Sequence, residues 1–369
     1  MIFYLIKKKF FFKSGIRNSI TNFNVNTIFF LVLKKDNKNI GIGECNPLLT
    51  INYNNEKLND IENNIINLFN YNNINFNFYR KKILNPYILF AFEQMFLFFK
   101  KKKFPILYNS NFTKGKIGIP VNNLIWLKIY KNFNKKKIFS YIENNISNGF
   151  LSLKIKIDKK SFDYQYHILL LIHKKYPFLQ IRLDANGCFS DLNETIFFTK
   201  ILKNITSIYY IEQPIPRGNF KEMKKICKKS IIPIALDEEL NGIIKLEKKR
   251  NILDFIKPQY IIIKPSINGG FSESEEWIIE ADKRNIKWCI SSSLESNIGI
   301  NAISQWTFLM INKYKKNNLY YHGLNTFDVY KNSNLFPIFF RKNGFMWYNN
   351  KIINFYEKKS IEKNLDRFF

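Results

Sequence analysis

Seven residues in the middle of the chain have the types and spacing of a catalytic set: Lys154, Lys156, Asp184, Glu212, Asp237, Lys264 and Ser291. Each lies at the end of a short apolar run. From Lys156 onward they follow one another at steps of 28, 28, 25, 27 and 27 residues. That interval is one strand plus one helix, so the same end of successive parallel strands is being marked. Asp184, Glu212 and Asp237 would form a hard oxygen cluster suited to Mg²⁺, completed by water and substrate. Three clustered carboxylates without a cation would repel one another and raise each other's pKa. Lys154 and Lys156 are two residues apart, so a strand turns both toward the same face. A lysine beside a metal has a lowered pKa and can accept a proton, and Lys264 would approach from the opposite side. The step this set suits is removal of a proton α to a carboxylate, with a metal stabilising the enediolate. Taken singly, an Asp at a strand end is more often a helix cap and a Lys more often solvated. The even spacing and compatible order argue for a site.

The elements that must hold these residues can be read from periodicity. Short apolar runs at 117–125, 151–157, 180–184, 207–212, 232–237, 260–264 and 286–291 read as strands. Amphipathic stretches such as 161–175 and 192–203 read as helices between them. Strand and helix in alternation imply parallel strands with right-handed crossovers. Seven such units predict an α/β fold, a (β/α)7β TIM-like barrel over residues 116–324, with its site at the C-terminal ends of the strands. Residues 1–115 read as an α+β capping domain. Its β-rich stretches at 2–13 and 27–34 and the Ile40–Gly43 run form a meander. Helical spacing follows at Leu58, Ile61, Ile65, Ile66 and Phe69 inside an Asn-rich 52–77 segment, and Asn85-Pro86 marks a capped helix start running to about Phe99. Residues 325–369 are expected to pack back on this N-terminal domain.

The chain has 369 residues and a formal net charge of +29. That length needs more than one small core. So high a charge raises the question of nucleic acid. However, Lys, Asn, Ile, Phe and Tyr are enriched together while Gly (14) and Pro (11) are scarce, the pattern of an A/T-biased genome. The Lys runs (Lys7–Lys9, Lys100–Lys103, Lys135–Lys137) are scattered rather than gathered in a stripe, so a solvated surface is expected and no nucleic-acid partner. Cys45, Cys188, Cys227 and Cys289 form no CxxC pair, which fits a reducing cytoplasm and no zinc site. The apolar start precedes its lysines, the wrong order for a signal peptide. No apolar run reaches the ~18 residues of a membrane span. Gly269-Gly270 reads as a turn or a carboxylate nest. His167 and His173 fall on a helical pattern, and His322 reads as a packing residue near the last strand.

The motifs Lys154-Ile155-Lys156, Asp184-Ala185-Asn186-Gly187, Glu212-Gln213-Pro214, Asp237-Glu238 and Lys264-Pro265 resemble the muconate-lactonising branch of the enolase superfamily. Within it, Ile119–Trp126, Ile263–Ser266 with Gly269-Gly270, and Ser291–Gly299 are most similar to the o-succinylbenzoate synthase family of menaquinone biosynthesis. His322–Thr326 is also similar, and Gly41–Leu48 is similar to the superfamily's capping-domain signature. The resemblance covers about residues 1–330. It implies a lyase: Mg²⁺, replaceable by Mn²⁺, held by Asp184, Glu212 and Asp237, and Lys156 as base and then acid in a syn elimination of water. Lys154 would assist electrostatically and Lys264 would stabilise the enediolate from the other ring face. Ser291, Gly269 and Gly270 would hold substrate carboxylate, and Glu238 would steady the metal ligands from behind. The substrate implied is 2-succinyl-6-hydroxy-2,4-cyclohexadiene-1-carboxylate and the product o-succinylbenzoate. Two alternatives stand beside this. One is dipeptide epimerase or N-acylamino acid racemase chemistry on the same scaffold. The other is a basic binding protein without catalysis. The loop Leu48-Leu49-Thr50-Ile51 lacks the Gly/Ser character of the resembled family.

Overall fold

The computed structural model describes residues 1–13, 24–35, 39–48, 57–102, 104–125, 135–331 and 338–351. The N-terminal region opens with an antiparallel meander, β1 (Ile2–Phe11), β2 (Val25–Lys34) and β3 (Ile40–Cys45), in that spatial order. Three helices follow: α1 (Leu58–Phe69), α2 (Phe76–Lys82) and α3 (Pro86–Lys101). The Asn-rich segment is thus two short helices. Asn75 caps the second through Asn77 N–H, and the first ends at Asn70. Asn85 accepts hydrogen bonds from the backbone of Tyr87 and Ile88, with Pro86 at the first helical position. The glycines of Gly41-Ile42-Gly43 are required by close packing. A Cβ on Gly43 would lie 1.8 Å from the Ala91 carbonyl oxygen, and one on Gly41 would lie 2.2 Å from that of Met95. β3 therefore lies directly against the α3 backbone.

The barrel begins with β4 (Ile119–Pro120) and β5 (Asn123–Ile125), followed by α4 (Lys135–Ser147) and β6 (Ser152–Lys156). It continues through α5 (Phe162–Lys175), β7 (Gln180–Asp184), α6 (Leu192–Leu202), β8 (Ile208–Glu212), α7 (Phe220–Lys229) and β9 (Ile234–Leu236). α8 (Leu246–Ile256), β10 (Tyr260–Ile263), α9 (Phe271–Lys283), β11 (Lys287–Ile290) and α10 (Asn297–Lys313) complete it. β5 to β11 lie side by side in chain order, all parallel. Residues 318–323 close the ring as an irregular eighth strand. Asn318 pairs with Trp288 and Gly323 with Ser291 on one side, and His322 pairs with Val121 on the other. His322 is buried there and its Nδ1 accepts the Ile290 N–H. Burial holds its pKa down at about 3, so the ring is neutral and acts as packing and backbone support.

Outward-facing strand residues such as Ile181, Leu183, Ile261 and Ile263 pack under the helices in the main core. Inward-facing Tyr210, Ala235, Tyr260, Ile262 and Cys289 fill the barrel interior. Below the site Arg182 is also fully buried, stacked on Tyr210 at 5.5 Å and bonded to the Tyr321 carbonyl at 2.8 Å.

The segment after the barrel divides. Tyr330 packs on Phe10 and Phe12 of the N-terminal region and bonds Asn26. The hairpin β12 (Phe339–Lys342) and β13 (Phe345–Tyr348) instead pairs with Ile119-Pro120. It therefore sits at the N-terminal end of the barrel. Its Phe339 and Tyr348 also pack on Phe112, in the segment before the barrel. Residues 352–369, and the loop residues Leu49, Thr50 and Ile51, lie outside the described residues.

Candidate active site

Strand register sets the site. Lys156 lies opposite Asp184, and Asp184 opposite Glu212. The next inward positions at that level are Asp237 and Lys264, just beyond β9 and β10. Asp184, Glu212 and Asp237 are each at most 1% exposed, whereas Lys154, Lys156 and Lys264 keep 13–16% of their side chains open at the barrel mouth. Lys154 Nζ lies 2.8 Å from Asp184 Oδ2 and 2.6 Å from Glu212 Oε1, and Lys156 Nζ reaches the same Asp184 oxygen at 2.5 Å. Lys264 Nζ meets Asp237 Oδ2 at 2.5 Å from the other side. The positions read from spacing therefore come together, two lysines on one flank and one on the other.

The electrostatics follow from this packing. Burial works against the Lys154 charge, but Asp184, Glu212 and Asp237 outweigh it and raise its pKa well above the ordinary lysine value. Lys264 is raised likewise, mainly by Asp237 against burial. The lowered lysine pKa expected beside a cation is thus not the direction set by the protein's own charges. Asp184 is driven well below the carboxylate range, because Lys154 and Lys156 overcome its burial. Asp237 is lowered by Lys264. Glu212 is pushed far up by burial and by the neighbouring Asp184 charge.

The residues fit a divalent cation. Glu212 Oε2 and Asp237 Oδ1 are buried without a hydrogen-bond partner, an arrangement that is costly unless something positive meets them. All three candidate ligands are hard oxygen donors. As the side chains are placed, no group of three or more His, Cys, Asp or Glu among the described residues is arranged to hold a metal ion, and Lys154 bridges Asp184 and Glu212.

Behind the carboxylates lie groups that spacing alone did not reveal. Asn186 accepts a hydrogen bond from Lys156 and donates one to Glu238 Oε1 at 2.9 Å, linking the ends of β6, β7 and β9. Burial and the Asp237 charge push Glu238 up to about 7. Gln213, at φ 41°, accepts the Asp237 N–H and holds the Ile215 carbonyl, linking the ends of β8 and β9. A non-glycine residue in that backbone region beside a site is a local strain held by its surroundings. The Asp-Ala-Asn and Glu-Gln-Pro motifs were the available signal for both.

Ser291 is buried where β11 meets the eighth strand, with its hydroxyl 3.3 Å from the Gly323 carbonyl. Gly269 and Gly270, at φ 98° and 104°, lead into the start of α9. The Gly270 N–H donates to Pro265, and the next two N–H groups, of Phe271 and Ser272, are taken by the protein's own Glu93 from α3. A Cβ on Gly270 would meet Glu93 Oε2 at 2.2 Å. The anion at this helix start is internal. Glu44 does the same at α10, accepting from the Ser296 N–H, the Ser296 hydroxyl and the Gly299 N–H. Asn46 holds the carbonyls of Ser293 and Leu294. The capping region is thereby fixed to the loops after β10 and β11. A cavity of about 250 Å³ opens beside this seam, lined by Pro47, Leu48, Tyr87, Arg217, Asn241 and Ser293 among others.

Residues 140–341 match the enolase C-terminal domain-like family. The chain is a member of the enolase superfamily. It is 41% identical over 206 residues to an o-succinylbenzoate synthase from Desulfotalea psychrophila, a segment covering 55% of this chain and 53% of that protein. It is 33% identical over 162 residues to an L-amino acid-D/L-Glu epimerase from Sulfurimonas denitrificans, covering 44% of this chain and 46% of that protein. These aligned segments span about half the length of the curated relatives. The crystal structure of MenC from Desulfotalea psychrophila superposes with a TM-score of 0.73 at 29% identity, over 94% of this chain and 99% of that one. The barrel with its antiparallel N-terminal cap is the enolase-superfamily architecture.

Proposed function

We propose that this superfamily member is an o-succinylbenzoate synthase. It would dehydrate 2-succinyl-6-hydroxy-2,4-cyclohexadiene-1-carboxylate in menaquinone biosynthesis, with residues 1–115 as the cap and 116–324 as the catalytic barrel. The observation that carries the reading is the layer of three buried carboxylates with lysines on both flanks. The 41% identity to a synthase over half the chain supports the choice of substrate.

Asp184, Glu212 and Asp237 would hold Mg²⁺, or Mn²⁺ in its place, which supplies positive charge to the substrate carboxylate. Lys156 Nζ removes the proton at C1, and the electron pair moves into the carboxylate as an enediolate. Lys154 shares an Asp184 oxygen with Lys156 and adds positive charge on that face, which favours the developing enediolate. Lys264 faces the opposite side of the ring and stabilises the enediolate by charge and cation–π contact. The pair then expels the C6 oxygen, which leaves as water with the proton carried by Lys156. Base and acid are thus one group on one face, which is syn elimination. Asn186 and Glu238 orient Lys156 and the ligand layer from behind. The Ser291 hydroxyl, now on a long contact to a carbonyl, would turn toward a substrate carboxylate.

A lysine on each flank also suits 1,1-proton transfer, and the 33% identity to an epimerase makes that the second reading. A substrate panel separates the two. The synthase reading expects loss of diene absorbance with the cyclohexadiene acid at a turnover number at least 100-fold above that for α-proton exchange on dipeptides or N-acyl amino acids, a margin that needs only about 3 kcal/mol of differential transition-state binding. The opposite ratio would replace it with the epimerase reading.

A further inference from the structure

Glu295 is a carboxylate only 1% exposed that the mechanism above leaves unused. Its described partners are all donors on serines. Oε1 accepts from the Ser266 hydroxyl and the Ser293 N–H (2.9 Å), and Oε2 from the Ser292 hydroxyl (2.6 Å) and the same N–H (2.9 Å). Ser266 is itself fully buried and lies two residues beyond Lys264, while Ser292 and Ser293 directly follow Ser291. Burying a carboxylate without a cation is expensive, and for stability alone an apolar group of similar size does as well or better. What apolar packing does not provide is a directional tie between two loops. The Lys264 side of that tie is stiff. The Lys264 N–H donates to Asn268 Oδ1 at 2.6 Å, and its carbonyl accepts from Ile267 and Asn268 at 3.0 and 2.9 Å. Ser266 is the middle of this closed turn, so a fixed Ser266 hydroxyl fixes the base of the lysine.

We propose that Glu295 is a positioning residue: through Ser266 it registers the Lys264 turn after β10 against the Ser291–Ser293 loop after β11. The proposal rests on the reading that Lys264 acts on the substrate. It predicts coupling across 29 residues of sequence between the loops after β10 and β11.

The test uses Ser266→Ala, which removes only the cross-loop hydroxyl, with Glu295→Gln as a second variant. Amide hydrogen exchange across residues 264–270 should speed up in both, while residues 184–187 stay as in the parent protein. With the cyclohexadiene acid, kcat should fall about ten-fold, the effect of losing one charge-assisted hydrogen bond, with KM within about two-fold. Mg²⁺ affinity should not change. Unchanged exchange at 264–270 would overturn the coupling whether or not the substrate is turned over. Faster exchange with unchanged kcat would overturn the positioning role. If the parent protein shows no turnover, the synthase reading fails by itself, and the exchange result still decides whether Glu295 couples the loops.

Discussion

Among the residues of the strand-end layer, the unequal partnering of the carboxylate oxygens decides what each should do. Asp184 has both its flanking lysines and is fully charged, whereas Glu212 and Asp237, which neighbour each other, each bury an oxygen that no donor satisfies. Glu212→Gln should therefore weaken Mg²⁺ binding by more than the 10- to 100-fold typical of groups behind the ligands, and Glu238→Gln should fall within that range. Calorimetric titration with Mg²⁺ checks both. Equal, small effects would mean that the cation sits elsewhere. At this scale the sequence was informative, because the reacting groups are separated by one structural repeat each and so appear as a period. The residues behind them were less legible. Asn186 and Gln213 lie within quoted motifs, but their hydrogen bonds to Glu238 and Asp237 run between strands. Nor does anything local to Gly269-Gly270 show that the next two N–H groups, of Phe271 and Ser272, meet Glu93 from α3.

Among the elements, the starts of α9 and α10 are the joints that hold the cap. Each takes a buried glutamate from the N-terminal region into its first turn, where free N–H groups and the helix dipole favour an anion. Removing one, as in Glu93→Ala, should cost about 2–3 kcal/mol of unfolding free energy, the price of leaving buried donors unmatched. Chemical denaturation measures it. The same residues give a pH dependence. Burial raises Glu44 and Glu93 from 4.5 to about 7 despite their donors, so the folded protein holds protons that the unfolded chain has released. Their contribution to stability is present below about pH 4.5 and is lost as pH rises through about 7. His322 works the other way: lowered from 6.5 to about 3, it contributes stability that is lost as pH falls through that window. Urea midpoints at pH 5 and pH 8 should therefore drop more for the parent protein than for Glu93→Gln. Identical drops would show that Glu93 does not titrate there. Most barrel elements matched the expected spans to within a few residues, because apolar runs of period two and 3.6 define them. The C-terminal hairpin was not read in advance, since nothing local to 338–348 says which strand it joins.

At the scale of the whole molecule, the net charge of +29 makes the chain repel itself. Several of the described ion pairs lie within a helix or join neighbouring helices. The buried cluster of Lys249 with Glu273 and Glu276, reached by Arg80 of the cap, instead ties the N-terminal region to α8 and α9. Screening repulsion between exposed lysines matters over the ~10 Å Debye length of 0.1 M salt, while the buried cluster is little affected. The melting temperature should therefore rise as salt goes from about 0.01 to 0.5 M. A fall would mean that surface ion pairs outweigh the repulsion. Among the described residues no helix is long and apolar enough to cross a membrane.

The central claim is that the carboxylate layer and Lys156 act together on an acidic proton. The most direct measurement is loss of diene absorbance from the cyclohexadiene acid with purified protein and Mg²⁺, run beside an EDTA-treated sample and Lys156→Ala. Turnover by the intact protein should fall at least 1,000-fold in the variant, the upper range for loss of a general acid–base group, and should return to the chelated sample when Mg²⁺ is restored. Turnover that survives in Lys156→Ala, or is indifferent to chelation, would contradict the account.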